Sequence, residues 1–576
     1  MKNLKAILAA GLILSSAFTS SCSLLYKQDE IPTPEPTAPS AAPAVTLDTE
    51  PADPNVPQFV ETGSNAATSG GNADTDDVSA ASPTETQPPV SIPDAESQKV
   101  GEDGMIIDDW RAGLNINNGE KVSELYEQFR IDAAMREGYY NMICQDSAIP
   151  VIHISTEDER EILSLDDYVN CLVEVMNCDD IYKLTASGGI RVRGNASAYY
   201  GDTEKIRDNP VPYRIKFDEK QSMLGLNDYA RCKSWVLLRT YEAGVRDHLA
   251  FRIAKAINDG DYYVSDSTFV QLYINEKYMG LYLLCEQTQE NSQRIDITEA
   301  EDGYTGTDIG YLVELDNYAA DDDDPFFYLV YNREEITDIE GTVRVPRKYA
   351  YSVKNDLYSE EQLKFIERYF EVAWEISMRA IKYGEFLTYD DEFNLIPAQD
   401  QFASAYECIN AVIDVQSVVD MYMTYEIVND QDVGGGSFFF AVDFSEQSKY
   451  PRLTMVAPWD FDWAYSDYYS SADGGLYVAK FKDEVFINGD RSHNGYGDRS
   501  NPWLILFYSA DWFRGLVSET WKARLEYIRA AMDEVEATAV EYSDDFNKDG
   551  TRRAGKAVAT INWARSRVDF LDTLWG

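Results

Sequence analysis

The chain is poor in the residues that build zinc sites and nucleic-acid-binding surfaces. It contains three histidines and seven cysteines in 576 residues. No cluster of the two has the spacing of a zinc motif, so we expect neither a structural nor a catalytic zinc site. Lysine and arginine number 50 against 100 acidic residues, which gives a formal net charge of −50 at pH 7. Because polyanions are bound through clustered basic residues, this balance argues against a nucleic-acid partner.

The cysteines do not form a dense disulfide framework. Setting aside Cys22 leaves six cysteines in a long folded part. An oxidising location would permit disulfides, but Cys232 and Cys285 lie in apolar, strand-like runs, where free buried cysteine is common. The sequence therefore predicts no particular pairing.

The N-terminus has the layout of a secretory signal. Two lysines in the first five residues precede an apolar run from Ala6 to Phe18, and small residues lead to Cys22. The run is shorter than the ~20 residues of a membrane-spanning helix. We expect residues 1–22 to be a lipoprotein signal peptide with Cys22 as the lipidated N-terminus. Plain secretion after cleavage nearby is the alternative, and both place the domain outside the cytoplasm.

The next segment is too polar and too rich in proline to fold. Residues 23–104 repeat Pro, Thr, Ser, Ala and Asp, with almost no aromatic residue after Tyr26. Such a composition cannot bury enough apolar surface, so it predicts a disordered linker that holds the domain clear of the membrane. Residues 105–147 form a lead-in segment. Residues 148–576 are the predicted domain, long enough for a two-lobed enzyme.

The patterning of the folded part changes from strands to helices. Alternating β-rich runs are followed by a predicted helix at 246–257 and a hairpin at 267–287 with an Asn-Glu-Lys turn. The second half is mainly helical, and a strand pair lies within residues 437–465. A β-rich N-terminal half and a helical C-terminal half predict an α+β, two-lobed arrangement. The cleft between such lobes would be the ligand site.

Two acidic motifs flank the predicted strand pair: N-D-Q-D-V-G-G-G-S at 429–437 and P-W-D-F-D at 458–462. Hairpin pairing would bring Asp432, Asp460 and Asp462 to one pocket. Gathered carboxylates repel one another unless a divalent cation lies among them, and magnesium favours a few carboxylates plus substrate phosphates. Phosphoryl transfer uses this arrangement, with one aspartate positioning the attacking hydroxyl and another holding the metal. The alternative is that these residues cap helices and turns.

Basic residues of the β-rich half could contact nucleotide phosphates. In P-Y-R-I-K-F, alternation places Arg214 and Lys216 on one face of a strand. One of them could face the cleft, or both could be solvated. The R-G-N at 193–195 offers a glycine turn and a guanidinium suited to phosphate.

Ten blocks in one order resemble the CotH kinase family over about residues 148–525. The blocks are PVIHIST, RVRGNAS, PYRIKFDEKQSMLGL, KSWVLLRTY, VRDHLAFRIAKAI, FVQLYINEKYMGLYLLCEQ, RIDI, NDQDVGGGSFFF, PWDFDWAY and NPWLILF. The resemblance implies a divergent, two-lobed protein-kinase-like fold that uses ATP and Mg²⁺ or Mn²⁺. It also implies phosphorylation of hydroxyl side chains on secreted or spore-coat proteins.

The resemblance assigns a role to single residues. Asp432 matches the family's presumed catalytic base, Asp460 its metal-binding aspartate, and Asp462 the companion of that aspartate. Residues expected to bind the nucleotide are Lys216, Arg193, Asn195 and Arg246. Ser437 stands where many members carry a metal-binding asparagine, so weaker metal binding is expected. The chain also lacks a G-x-G-x-x-G loop and an H-R-D tripeptide.

Two classes of function follow from these patterns. The first is an extracytoplasmic, lipid-anchored Ser/Thr protein kinase of the CotH type. The second is a catalytically weak, CotH-like surface scaffold or adhesion protein, which Ser437 and the scarcity of ATP outside the cytoplasm favour. A third interpretation, a carbohydrate-binding module, is the weakest, because only the abundance of tyrosine and tryptophan supports it.

Overall fold

The structure is a computed structural model that describes most of the chain beyond residue 118. The described residues are 119–240, 245–258, 260, 262–316, 319–320, 324–330, 336–344, 348–446, 448–465, 471–482 and 499–576. They belong to one compact unit. The predicted signal peptide with Cys22 and the predicted linker at 23–104 lie outside them.

The described strands and helices are numbered here in chain order. The strands are β1 (Val151–Thr156), β2 (Val169–Met176), β3 (Leu184–Val192), β4 (Tyr213–Gln221), β5 (Cys232–Arg239), β6 (Ser267–Ile274), β7 (Lys277–Glu286), β8 (Gly310–Leu315), β9 (Phe326–Val330), β10 (Ile336–Thr337), β11 (Val343–Arg344), β12 (Lys348–Val353), β13 (Leu387–Tyr389), β14 (Leu395–Pro397), β15 (Phe438–Asp443) and β16 (Thr454–Val456). The helices are α1 (Gly119–Gln128), α2 (Ala133–Gln145), α3 (Thr203–Asp208), α4 (Leu226–Tyr229), α5 (Arg246–Asn258), α6 (Glu360–Tyr383), α7 (Ala405–Asn410), α8 (Val415–Val428), α9 (Pro502–Tyr508), α10 (Asp511–Glu541), α11 (Ser543–Phe546) and α12 (Arg553–Trp575).

The first seven strands close into a barrel. Their order is β1-β2-β3-β4-β5-β7-β6. Neighbouring strands are antiparallel except β1 and β6, which pair in parallel with Val151 beside Gln271 and so close the barrel. Alternate side chains of β3 are buried and belong to a core inside the barrel that includes the fully buried Trp235. Closure leaves no exposed edge strand in this part of the molecule.

A second sheet has the strand order β16-β15-β8-β12-β9. The strand pair predicted within residues 437–465 is confirmed: Phe439 lies opposite Val456, and Ala441 opposite Thr454. The other edge of β15 pairs with β8, a strand that the sequence patterns did not single out. Helices α6, α8, α9, α10 and α12 pack with this sheet around the largest core. The structure thus confirms an α+β class with a β-rich N-terminal half and a helical C-terminal part.

The lead-in segment contributes two helices that contact the barrel. The hydroxyl of Tyr126 in α1 donates to Glu174 Oε1 at 2.5 Å. In α2, Arg136 Nη2 donates to Ser155 Oγ at 2.8 Å.

No helix of the described part combines the length and the apolar character needed to cross a membrane. The six cysteines that the structure describes are all free thiols.

Helix α8 is buried on nearly all of its surface and carries a buried charge. All of its residues except Gln416 are buried, including the carboxylate side chains of Asp420 and Glu426. Its Glu426 Oε1 lies 2.5 Å from Arg567 Nη2 of α12, and both side chains are 0% exposed. The backbone amide of Val478 donates to the second oxygen of Glu426 at 2.9 Å. The carboxylate is thereby satisfied from two separate parts of the chain.

Replacing Arg567 by methionine should destabilise the protein strongly, because it leaves Glu426 buried without its cation. Removing one partner of a buried ion pair costs about 3–5 kcal/mol, and the free energy of unfolding from urea titrations measures this loss. Arg565→Met is the matched control on the same helix. Arg565 contacts Asp533 and Glu536 at the surface, so its loss should cost at most about 1 kcal/mol. Equal losses in the two variants would contradict the prediction.

Candidate active site

A cavity of about 640 Å³ lies between the barrel, the second sheet and the loops that follow α8 and β16. Its volume is within the range of small-ligand sites. Its lining contains charged side chains of both signs. The barrel side contributes Arg191, Arg193, Arg214 and Arg239, and the acidic side includes Asp247, Asp432, Asp460 and Asp462. The two predicted acidic motifs therefore meet at one cavity that also contains guanidinium groups.

The loop that carries Asp432 begins where α8 ends. Asn429 caps α8 in the left-handed conformation, with φ of 53°, which asparagine tolerates better than most residues. A tight turn follows, in which the amide of Gly435 donates to the carbonyl of Asp432 at 2.7 Å. A side chain at position 435 would overlap the Asp432 carboxylate. Gly435 thus allows this carboxylate to lie over the turn and face the cavity.

The aromatic residues of P-W-D-F-D fix the position of the second acidic motif. Trp459 and Phe461 are 7% and 0% exposed, and both rings pack against Phe251 of α5. Asp460, which lies between these two aromatic residues, and Asp462, which follows them, line the cavity. Asp460 has φ of 62°, a left-handed backbone that costs free energy in a residue other than glycine and is often retained at functional sites.

These carboxyl groups hold protons more tightly than usual. Confinement in the cavity, together with Asp247 and Asp432, raises the pKa of Asp460 to about 6. The same effects, with Asp247 and Asp460 as neighbours, raise the pKa of Asp462 well above its usual range. Burial also raises the pKa of Asp432, although Arg499 and Lys482 oppose this shift. The folded protein therefore concentrates negative charge at this cavity at a cost in free energy.

The donors at the cavity fit a divalent cation of the magnesium type. Across the described ranges, no three carboxylate, imidazole or thiol groups stand close enough together to hold a metal ion by themselves. Magnesium usually takes one or two carboxylates and completes its shell with water and substrate phosphates. Asp460 and Asp462 supply such oxygens, and a cation would relieve the repulsion that raises their pKa values.

The R-G-N turn lines the same cavity. Arg193 and Asn195 follow β3 directly and lie on its lining. Gly194 has φ of 92°, and a side chain there would overlap the Ser197 hydroxyl, so glycine is required for this turn. The guanidinium of Arg193 lies 5.8 Å from the centre of the Trp459 ring. The turn is therefore linked to the acidic motif through that tryptophan.

The two basic residues of β4 differ in their position. Arg214 lines the cavity, whereas Lys216 is exposed and is not part of its lining. Arg214 Nη2 donates to Ser234 Oγ at 3.2 Å, and its buried Nε has no hydrogen-bond partner among the described residues. The guanidinium that this strand offers to the cavity thus belongs to Arg214. The role of Lys216 in nucleotide binding stays a prediction from the family resemblance.

Arg246 contacts the acidic motif rather than the large cavity. It lines a smaller space of about 20 Å³ together with Asp247 and Asp462, and its Nη1 donates to the carbonyl oxygen of Asp462. The next residue, Asp247, accepts a hydrogen bond from the amide of Phe461 at 3.0 Å. The N-terminus of α5 therefore holds the P-W-D-F-D loop in place.

Ser437 lies at the far end of the Asp432 loop and also lines the cavity. Its φ is 56°, and its amide donates to Glu314 Oε1 at 2.9 Å. Lys354 Nζ lies 2.9 Å from Glu314 Oε2, and both side chains line the cavity. Sequence patterns missed Glu314 and Lys354 because strands β8 and β12 were not predicted.

Asp460→Asn should stabilise the metal-free protein at pH 7.5 and leave it nearly unchanged at pH 4. The folded state binds this proton more tightly than the unfolded state, so Asp460 lowers stability as the pH rises from about 4 to about 6. The cost is fully present above that window. The measurement is the melting temperature in EDTA at both pH values.

The exposed Asp391→Asn serves as the matched control and should shift neither melting temperature. Adding Mg²⁺ at pH 7.5 should raise the melting temperature of the wild type more than that of Asp460→Asn. A variant that melts below the wild type at pH 7.5 in EDTA would contradict this account of the carboxylate cluster.

Comparison with known proteins identifies the family. The model of the family described as CotH kinase protein matches residues 190–567, a range that includes every residue named above as lining the cavity. A search of the curated proteins found no match. Because the matched range covers more than half of the chain, this protein belongs to the CotH kinase family.

Proposed function

We propose that this protein is an atypical protein kinase that transfers the γ-phosphoryl group of ATP to serine or threonine hydroxyls. Membership of the CotH kinase family suggests a kinase-like role. The observation that carries the specific proposal is that carboxylates and guanidinium groups line one cavity, with Asp432, Asp460 and Asp462 near the arginines of the barrel. Phosphoryl transfer needs both kinds of group, since it is catalysed by positioning and charge stabilisation.

We assign the nucleotide phosphates to the barrel side of the cavity. Arg193, Asn195 and Arg214 lie there, and the Nε of Arg214 is buried without a hydrogen-bond partner in the described structure. Guanidinium groups suit phosphate because they donate two parallel hydrogen bonds. Asp460 and Asp462 would hold a divalent cation against these phosphates, with the Ser437 hydroxyl as a further ligand. When bound, that cation supplies neutralisation of the phosphate charge.

Asp432 is the proposed general base. Its carboxylate orients the acceptor hydroxyl and takes the proton as the hydroxyl oxygen forms its bond to the γ-phosphorus. The bond from that phosphorus to the bridging oxygen breaks, and ADP leaves. The raised pKa of Asp432 suits this step, because a carboxylate with a higher pKa accepts a proton more readily.

The proposed location is the outer surface of the cell membrane. The signal-like N-terminus and Cys22 support a lipid anchor, and the proline-rich segment that follows supports a spacer between anchor and domain. Acceptors would then be secreted or coat proteins within reach of the anchored domain.

A specific feature favours the second candidate, a catalytically weak scaffold. Ser437 replaces the asparagine that binds metal in protein kinases, and its backbone is left-handed. Serine adopts this conformation less readily than asparagine. Weak metal binding at this position would leave a family member that binds partners and transfers phosphate slowly.

The full-length protein with labelled ATP and Mg²⁺ or Mn²⁺ should place phosphate on itself or on a serine-rich peptide. Asp432→Asn and Asp460→Asn should each reduce labelling by about 100-fold or more, since one removes the base and the other a metal ligand. Asp391→Asn controls for an aspartate remote from the cavity. Labelling that persists in Asp432→Asn would overturn the assigned base. Absence of both labelling and metal-dependent nucleotide binding in the wild type would favour the scaffold.

Ser437→Asn should lower the Mg²⁺ concentration needed for half-maximal labelling by several-fold. Asparagine tolerates the left-handed backbone at this position and offers a carbonyl oxygen to the metal. Ser437→Ala keeps the amide contact with Glu314 and removes only the hydroxyl, so it should raise that concentration. A metal requirement in Ser437→Asn above that of the wild type would show that position 437 is not a metal ligand.

A further inference from the structure

Arg499 contacts the proposed base directly. Its Nη1 lies 2.7 Å from Asp432 Oδ1, and the arginine side chain is 8% exposed against 35% for the aspartate. The guanidinium carbon lies 4.8 Å from the centre of the Trp463 ring. Arg499, Asp432 and Trp463 all line the cavity. A cation therefore stands beside the carboxylate that must accept a proton.

The backbone of Arg499 is fixed against the Asp432 loop. Its carbonyl accepts a hydrogen bond from the amide of Gly434 at 3.1 Å, and Asn501 Nδ2 donates to the carbonyl of Val433 at 3.1 Å. A side chain at position 434 would overlap the backbone carbonyl of Ser500. These contacts leave the long arginine side chain as the part that can change its partner.

Arg499 has a buried donor without a hydrogen bond among the described residues, as has Arg214 on the barrel side, whereas two other arginines there are bound to backbone carbonyls. Arg191 donates to the carbonyl of Leu165, and Arg239 to that of Pro210. The Nη1 of Arg499 is buried and has no hydrogen-bond partner in the described part of the chain, although it makes the ionic contact with Asp432. An anionic group that enters the cavity can accept a hydrogen bond from this N–H if it displaces the Asp432 carboxylate.

We infer that Arg499 is a catalytic residue that exchanges Asp432 for the terminal phosphoryl group of the bound triphosphate. The inference rests on the proposed function. Without nucleotide, the guanidinium neutralises Asp432 and makes it a poor base. A terminal phosphoryl group carries more negative charge than a carboxylate and accepts two guanidinium hydrogen bonds. It therefore draws Arg499 away and leaves Asp432 ionised beside the acceptor hydroxyl.

This exchange ties nucleotide recognition to the third phosphate. ADP lacks the group that competes with Asp432, so its affinity does not depend on Arg499. A triphosphate gains the Arg499 contact but must displace the aspartate to obtain it. Removing the charge of Asp432 consequently strengthens triphosphate binding, an effect opposite in sign to that of removing Arg499.

Calorimetric titration of the full-length protein with Mg²⁺ and either ADP or a non-hydrolysable ATP analogue tests the exchange. Arg499→Gln should weaken binding of the analogue by about tenfold or more, the effect of one lost charge-assisted hydrogen bond, with ADP binding changed by less than about threefold. Asp432→Asn should tighten binding of the analogue and leave ADP unchanged. Arg499→Lys should lie between the wild type and Arg499→Gln. The surface variant Arg529→Gln controls for loss of a positive charge.

The outcomes separate this inference from the proposed function. Equal weakening of ADP and analogue in Arg499→Gln, or an unchanged analogue affinity in Asp432→Asn, would show that Arg499 only holds Asp432 and would overturn the exchange. The Asp432→Asn result decides the matter even if Arg499→Gln fails to fold. Failure of the wild type to bind either nucleotide would overturn both the kinase proposal and the exchange.

Discussion

The buried ion pair between Glu426 and Arg567 is the interaction on which the position of the candidate active site depends. It joins α8 to α12, and the same carboxylate accepts the amide of Val478. Helix α8 ends at Val428, two residues after Glu426, and the loop carrying Asp432 begins there. The segment that contains Val478 continues to Lys482, whose ammonium group donates to the carbonyls of Asp430 and Gln431 at 2.9 and 3.2 Å. The loop carrying Asp432 is therefore held from both sides by elements that meet at one buried carboxylate.

The packed core around the cavity offsets the free-energy cost of gathering carboxylates there. Burial raises the pKa of Asp430 to about 8 and lowers that of Lys482 to about 8, and the charge of each group opposes the shift of the other. Asp460 and Asp462, in contrast, face the cavity with no cation among the described residues in direct contact with their carboxylates. Such a site opposes folding, and the packed aromatic residues and the satisfied ion pair around it offset the cost. A bound cation would reduce this cost, because it would neutralise the charge of the carboxylates.

The sequence predicts best what depends on neighbouring residues. The hairpin β15/β16 follows from alternation, which needs only a few consecutive side chains, and pairing of the hairpin brings the acids of P-W-D-F-D towards Asp432. Alternation along β4 places Arg214 and Lys216 on one face of the strand. It cannot show which of the two lies near the cavity, because that depends on how the barrel curves. Glu314 and Lys354 escaped prediction because their strands join the sheet through distant pairings.

Arg499 and Asp247 show two further limits of sequence patterns. Arg499 is far along the chain from Asp432, and no local motif relates the two. Asp247 adjoins Arg246, which the resemblance had singled out, yet only the folded structure shows its hydrogen bond to the amide of Phe461. Charged residues that act on one another across a cavity carry no periodic signal, whereas residues that fill a core do.

The parallel pairing of β1 with β6 has a consequence for how the chain reaches this structure. One edge of β1 can pair with β2 soon after both strands are synthesised. Its other edge has no partner until Ser267–Ile274 has been synthesised. During synthesis from the N-terminus, an apolar strand with an open edge therefore persists while more than a hundred further residues are added. Open edges invite pairing with other chains, and contacts between distant residues form slowly. The newly made domain is thus most prone to aggregation before β6 is complete, and closure of the barrel ends that period.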